Sequence, residues 1–429
     1  MAGETVAGET VDGETARAEK GALRLTGAQR FMLASSFVTT LGSFAVLPFT
    51  SVLLHQRLGM DLGVVGAVLA AASLLQFAGC VAGAAVAVRL GLRRTLLLAL
   101  LLHVAGFAGF AAGLDRPAVM IAGLVVVCCG AALYLPSAKA YLVHGADRES
   151  RPRLLSASNS ALNAGVALGP LAAGPFALEA PGALLTAVVM LLAVLTAGHA
   201  LLPDSRDHDP GAGAEAPSRV LAGIPALPFA VTAWTLYLHM YFYYYLPVYT
   251  VPRVSSAFYG AVLMLHSLLL AVMQPVLAGW VGRMRHTRAM ALGFTAMAVG
   301  MTVLALGGAA AIAAGAVVVC LGEVVLFLKN DLEALARSAR SPAVVFGQQR
   351  LAAGVGAFGS GIIGGAGYGA FDRAGNAPLF WLAVAAQCAL LPLVLLVAWL
   401  ASRRRSPGSS PDDPPGHSPA ANDDSMRTT

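Results

Sequence analysis

Charge is what this sequence has least of. Asp, Glu, Lys and Arg make up 12% of its 429 residues, about half the share in a soluble globular chain. With 57% of residues hydrophobic, this excludes an ordinary water-soluble domain and points to an integral membrane protein. Paired cysteines are also missing. Cys80, Cys128, Cys129, Cys320 and Cys388 all lie in apolar stretches without paired or metal-type spacing, so no disulfide framework and no metal site are expected. There is no phosphate-binding loop, no glycine-rich dinucleotide fingerprint and no metal-spaced His/Cys cluster. The chain is therefore expected to be no enzyme and to need no cofactor, drawing its energy from an ion gradient. The net charge of +6 does not argue for nucleic acid, because basic residues in such a chain mark cytoplasmic loops.

What the chain has is apolar runs. Residues 1–29 open with the repeat AGET-VAGET-VDGET, acidic and without aromatics, which predicts a disordered cytoplasmic tail rather than a signal peptide. Twelve apolar stretches follow, each able to cross the roughly 30 Å hydrocarbon core as a helix. Six fall in 30–202, a hydrophilic linker occupies 203–223, six more fall in 224–401, and a Pro/Ser/Asp-rich tail fills 402–429. Of the 28 Lys and Arg, only Arg57, Arg116, Arg253 and Arg373 fall in alternate loops of the outward type. That asymmetry predicts a multi-pass protein of the cell membrane with both termini in the cytoplasm.

The two halves echo each other. GVALGPLAAG at 165–174 lies on GAFGSGIIGG at 356–365, and Lys139 then falls on Asn330. Two six-helix repeats with a cavity between them make the architecture of a secondary transporter.

Several motifs carry a family resemblance. AAVAVRLGLRR at 84–94 holds Arg89, Gly91 and Arg93 and resembles the cytoplasmic loop signature of the major facilitator superfamily, roughly G-x-L-A-D-R-x-G-R-K. It departs at Val88, where the family has an aspartate, and at Leu92. NAGVALGPLAAG holds Gly165, Gly169, Pro170 and Gly174 and is similar to the antiporter signature G-x-x-x-G-P-x-x-G-G, departing at Ala173. Small residues four apart let helices approach closely, and the proline bends the rod. The seam reads either as a pivot or as a static packing face. The resemblance covers about 30–400 and extends to the drug:proton antiporter branch through Gly322–Glu323. It implies twelve transmembrane helices in two pseudo-symmetric bundles, with gating roles for the loop and seam residues.

Candidate site residues follow. Glu323 is the one acid placed well inside a span, and an ionised side chain there costs about 2.5–3.5 kcal/mol or more. It reads as the proton carrier or as a structural hydrogen-bond partner. Lys139 either snorkels or meets an anion or carboxylate. Asn159 and Asn163 share a face of the fifth span; they and Gln274 read as substrate contacts or interhelical hydrogen bonds. His103, His239 and His266 read foremost as packing residues.

The run YLHMYFYYYLPVY at 237–249 concentrates the tyrosines. At about 100° per residue, Trp234, Tyr237, Tyr241, Tyr244 and Tyr245 fall on one arc, with His239 and Tyr243 pointing elsewhere. The arc changes depth, which a membrane-interface belt would not. It is expected to wall a substrate cavity, with core packing as the other reading. The function that emerges is export of a small apolar or cationic organic compound by proton antiport, in a monomer whose partners are substrate, protons and lipid. An importer or facilitator of a polar metabolite, and a non-transporting receptor or assembly factor, are the alternatives.

Overall fold

A backbone inside hydrocarbon must satisfy its own hydrogen bonds, and among the described residues this chain does so with helices alone. The computed structural model describes residues 25–147, 150–203, 223–338, 342–390 and 393. The helices are α1 (Gly27–Val46), α2 (Leu62–Leu90), α3 (Leu92–Ala112), α4 (Pro117–Val143), α5 (Ser150–Ala173), α6 (Pro181–Ala200), α7 (Ala226–Thr250), α8 (Ser256–Arg283), α9 (His286–Leu304), α10 (Ala309–Arg337), α11 (Pro342–Arg373) and α12 (Ala377–Cys388). The tail expected at 1–29 is described only from residue 25, where Thr26 and Gln29 form a capping box that starts α1. Nearly all of the expected linker, the whole C-terminal tail and the second half of the last expected span lie outside the described residues.

Among the described residues, nine helical segments are long and apolar enough to cross a bilayer, α1 being counted with its irregular continuation to Arg57. The helices that fall short are α5, α7 and the described part of α12. Helix α5 is diluted by Ser and Asn, and α7 by its tyrosines.

The packing partners repeat with a shift of six helices. In the first half α1 packs on α5, α2 on α4, and α3 on both α4 and α6. In the second half α7 packs on α11, α8 on α10, and α9 on both α10 and α12. The halves join along two seams, α2 with α11 and α5 with α8. Glycine makes both seams close. A Cβ on Gly66 would stand 2.2 Å from the Gly361 carbonyl oxygen, and one on Gly260 would stand 2.2 Å from that of Pro170. Both contacts lie toward the face away from the chain ends. On that far face Arg373 Nη1 also meets Asp61 Oδ2 at 3.1 Å, and the Tyr259 hydroxyl donates to the Pro48 carbonyl at 3.3 Å. The far face is sealed.

Candidate functional site

Beneath that seal lies a cavity of about 260 Å³ between the halves. Helices α1, α2, α4 and α5 wall it from one side, α7 and α8 from the other. Most of its wall is apolar or aromatic, including Phe44, Leu69, Leu124, Phe242 and Tyr243. The polar groups are Ser73 and Gln76 on α2, Thr50 and Ser51 past the α1 bend, and opposite them His239, His266, Ser267 and the hydroxyl-bearing Tyr243 and Tyr244.

Helix α7 has two faces with different work, and the expected assignment is reversed. Tyr237, Tyr241 and Tyr245 do not line the cavity; they are buried against α11 and α12. The Tyr245 hydroxyl donates to the Gly361 carbonyl at 2.9 Å, and its ring stacks on Tyr368 with centroids 5.7 Å apart. The Tyr241 hydroxyl donates to that of Tyr237, which donates to Gln387 Oε1 at 2.6 Å. Trp234 stacks on Tyr237 at 4.9 Å. The physical reason is large against small: a Cβ on Gly364 would stand 2.4 Å from the Tyr245 ring and 2.5 Å from that of Tyr241. Glycines of α11 make the slot that the rings fill. The face turned to the cavity carries His239, Met240, Tyr243 and Tyr244. Tyr244 alone of the expected stripe reaches the cavity, where its hydroxyl hydrogen-bonds Ser73 across the halves.

Behind the cavity wall sits Glu323, fully buried on α10. Its Oε1 shares a hydrogen bond of 2.7 Å with His239 Nδ1, and its Oε2 lies 3.2 Å from His266 Nε2. Two of the histidines expected to be packing residues therefore meet the one buried acid. Aromatic rings hold them: Phe242 stacks on His266 at 4.9 Å, and Tyr243 on His239 at 6.5 Å. No local spacing announced this convergence, because it needs α7, α8 and α10 side by side. His103 keeps its expected place, its Nδ1 2.8 Å from the Ala99 carbonyl oxygen within α3.

The sequence pattern of the Major Facilitator Superfamily matches residues 32–328. The chain belongs to that superfamily. It is a multi-pass membrane transporter, not an enzyme, and needs no cofactor. Among curated relatives, it is 33% identical over 176 residues to multidrug resistance protein MdtH of Cronobacter sakazakii, a match covering 41% of this chain and 43% of that protein. It is 29% identical over 141 residues to MdtH of Edwardsiella ictaluri, covering 33% and 35%. The matches thus span less than half the length of these relatives. Among solved structures, the nucleoside transporter NupG superposes with a TM-score of 0.69 at 14% identity, covering 87% of this chain and 99% of that one. The POT family transporter PepTSo gives 0.70 at 13%, covering 90% and 100%. At such identity the structures establish the fold.

The residues of the superfamily signatures sit at helix joints, most of them within the first bundle. Gly91 joins α2 to α3 at φ 82°, a conformation glycine adopts without Cβ strain. Arg93 donates to the Ala200 carbonyl at the end of α6, while Arg89 is exposed. Gly165 and Gly169 pack on the α1 backbone; Gly174 and Pro170 reach across to α8. Gly165 and Gly169 thus pack within the first bundle, while Pro170 and Gly174 lie at the joint with the second.

Asn159 and Asn163 are exposed and do not line the cavity, nor does Gln274; the amide that does is Gln76. The face of α5 turned to the cavity carries Val166 and Pro170 instead. Lys139 lines a second cavity of about 300 Å³, shared with Asp331 and Arg350 of the other half. Its repeat counterpart Asn330 is buried, donating to the Pro228 carbonyl at 3.0 Å and to Thr232 Oγ1 at 2.5 Å.

Proposed function

We propose that this transporter exports a small, largely apolar or cationic organic compound in exchange for protons, acting as a monomer in the cell membrane with both termini in the cytoplasm. The observation that carries the reading is the wall of the inter-bundle cavity, which is aromatic and aliphatic over most of its area. A polar metabolite would leave its own donors and acceptors unpaired there, which is costly. A flat apolar or cationic guest gains stacking and cation–π contact with Phe44, Phe242 and Tyr243. At about 260 Å³ the space is near the lower end of the roughly 300–1,000 Å³ range of small-molecule sites. The names of the curated relatives, multidrug resistance proteins, agree with this substrate class. With the termini in the cytoplasm, the sealed far face is the outer one.

In this reading Glu323 is the proton-coupling residue, because it is the buried acid joined to two side chains of the cavity wall. The test is counterflow in proteoliposomes with a fluorescent lipophilic cation, a chelator being present throughout. An imposed pH gradient should drive cation movement opposite to the protons. Glu323→Gln should abolish the pH-driven component while the protein stays monodisperse. Cation movement indifferent to the gradient, or a fully coupled Glu323→Gln protein, would overturn the reading.

A further inference from the structure

The three side chains behind the cavity wall make a donor set of a specific kind. Two imidazole nitrogens and one carboxylate have their ligating atoms within 4.8 Å of one another. Two histidines and a glutamate are among the protein ligand sets that hold zinc-class ions while leaving a further position open. Bonds of 2.0–2.2 Å in a tetrahedron put donor atoms about 3.3–3.6 Å apart. The contacts of Glu323 with His239 and His266, at 2.7 Å and 3.2 Å, come near that spacing.

A second observation points the same way. His266 Nε2 and Glu323 Oε2 are buried and face each other, yet neither has a well-aligned hydrogen bond. The two atoms pair with each other at 3.2 Å, and a cation between them would be met by both. Access also fits. His239 and His266 both line the cavity, and Glu323 lies directly behind them. The flanking rings of Phe242, Tyr243 and Phe327 fix the imidazole planes and offer no oxygen cage. Nitrogen-rich ligation of this type suits zinc, cobalt or nickel, and not magnesium or calcium.

We propose that His239, His266 and Glu323 bind one divalent transition-metal ion of the zinc class, with its open coordination position toward the inter-bundle cavity. The site lies wholly in the second bundle and stands independently of the exporter reading. An ion held there presents a positive Lewis-acidic centre to the cavity, which a guest with a nitrogen or oxygen donor can complete.

The test uses the tag-free full chain in detergent, stripped with a chelator and then titrated with cobalt as an optical probe and with zinc in competition. Expected are one cobalt per chain, a visible spectrum of low-symmetry four-coordinate type, and full displacement by zinc. Glu323→Gln and His266→Gln should each weaken binding by more than about 100-fold, beyond the loss caused by removing a partner that only orients a ligand. His144→Gln, at the exposed end of α4, should leave binding unchanged. His266→Cys replaces one ligand by another, so it should keep the ion and add a thiolate-to-cobalt charge-transfer band. That variant decides the matter where Glu323→Gln or His266→Gln fails to stay monodisperse. Absence of saturable one-to-one binding, binding undiminished in folded variants, or cobalt bound by His266→Cys without the new band would each overturn the proposal. The flux assay runs in chelator, so failure of the metal site and failure of the exporter reading are separate results.

Discussion

At the scale of single residues, α7 shows how far side-chain type can be read without neighbours. Periodicity correctly places Tyr237, Tyr241 and Tyr245 on one arc. It does not say what the arc faces, because that depends on α11 supplying Gly364 and Gly356 opposite. Bulky rings pack at a close helix contact where a glycine row receives them. Substitutions on the two faces should therefore separate. Tyr245→Ala removes a fully buried ring and should destabilise by about 3–5 kcal/mol, seen as a lower thermal unfolding midpoint and reduced yield. Tyr243→Ala, on the cavity side, should leave the midpoint nearly unchanged and alter which cations compete for transport. If Tyr245→Ala is as stable as the parent, the packing role assigned to the stripe is wrong. The buried acid Glu323 was legible as an oddity of composition. Its two histidine partners were not, since each comes from a different helix and sits alone in its own apolar run.

Among the elements, the sequence shows where helices run and the contacts show how close they come. The GxxxG-like pattern of α5 announces close approach, but not to which partner. Gly165 and Gly169 serve α1, and only the end of α5 serves the joint with α8. The α2/α11 joint carries a sharper test. A side chain at Gly66 would collide with the Gly361 carbonyl and the Gly365 Cα, both backbone, which cannot swing aside. Gly66→Val should therefore prevent the far face from sealing while leaving each bundle folded. Thiol labelling of a cysteine placed at Thr50, fully buried here on the cavity wall, should become fast from the far side in a background without native cysteines. Unchanged labelling would show that the seam can seal without the glycine. Helices α5 and α7 are the full-length helices that fail the apolarity criterion for a span, and both contribute wall to the cavity. Both read as spans from their length and apolar content, which the repeat and the family pattern support.

For the molecule as a whole, the packing partners repeat with a six-helix shift, and the halves meet along two seams. Rocking of one against the other is the motion such an arrangement permits. Asp61 and Arg373, exposed on opposite sides of the far-face seam, are where that motion can be arrested. Cysteines at both positions joined by a short cleavable linker should stop transport, and cleavage should restore it; undiminished turnover when linked would argue against opening at this face. Deleting the ion pair alone, as in Asp61→Ala, should change stability by less than about 1 kcal/mol, as exposed pairs do. The two-bundle organisation was legible because it is written in repeated spacing. The sealed state was not, because it depends on backbone contacts that either half alone leaves undetermined. His239, His266 and Glu323 all belong to the second bundle, so whatever charge they hold travels with that body as it swings. A full elementary charge crossing a 100 mV potential changes the energy by about 2.3 kcal/mol, and a partial crossing by a proportionate share. Turnover should then respond to voltage as a molecular current does, and neutralising Glu323 should flatten the response.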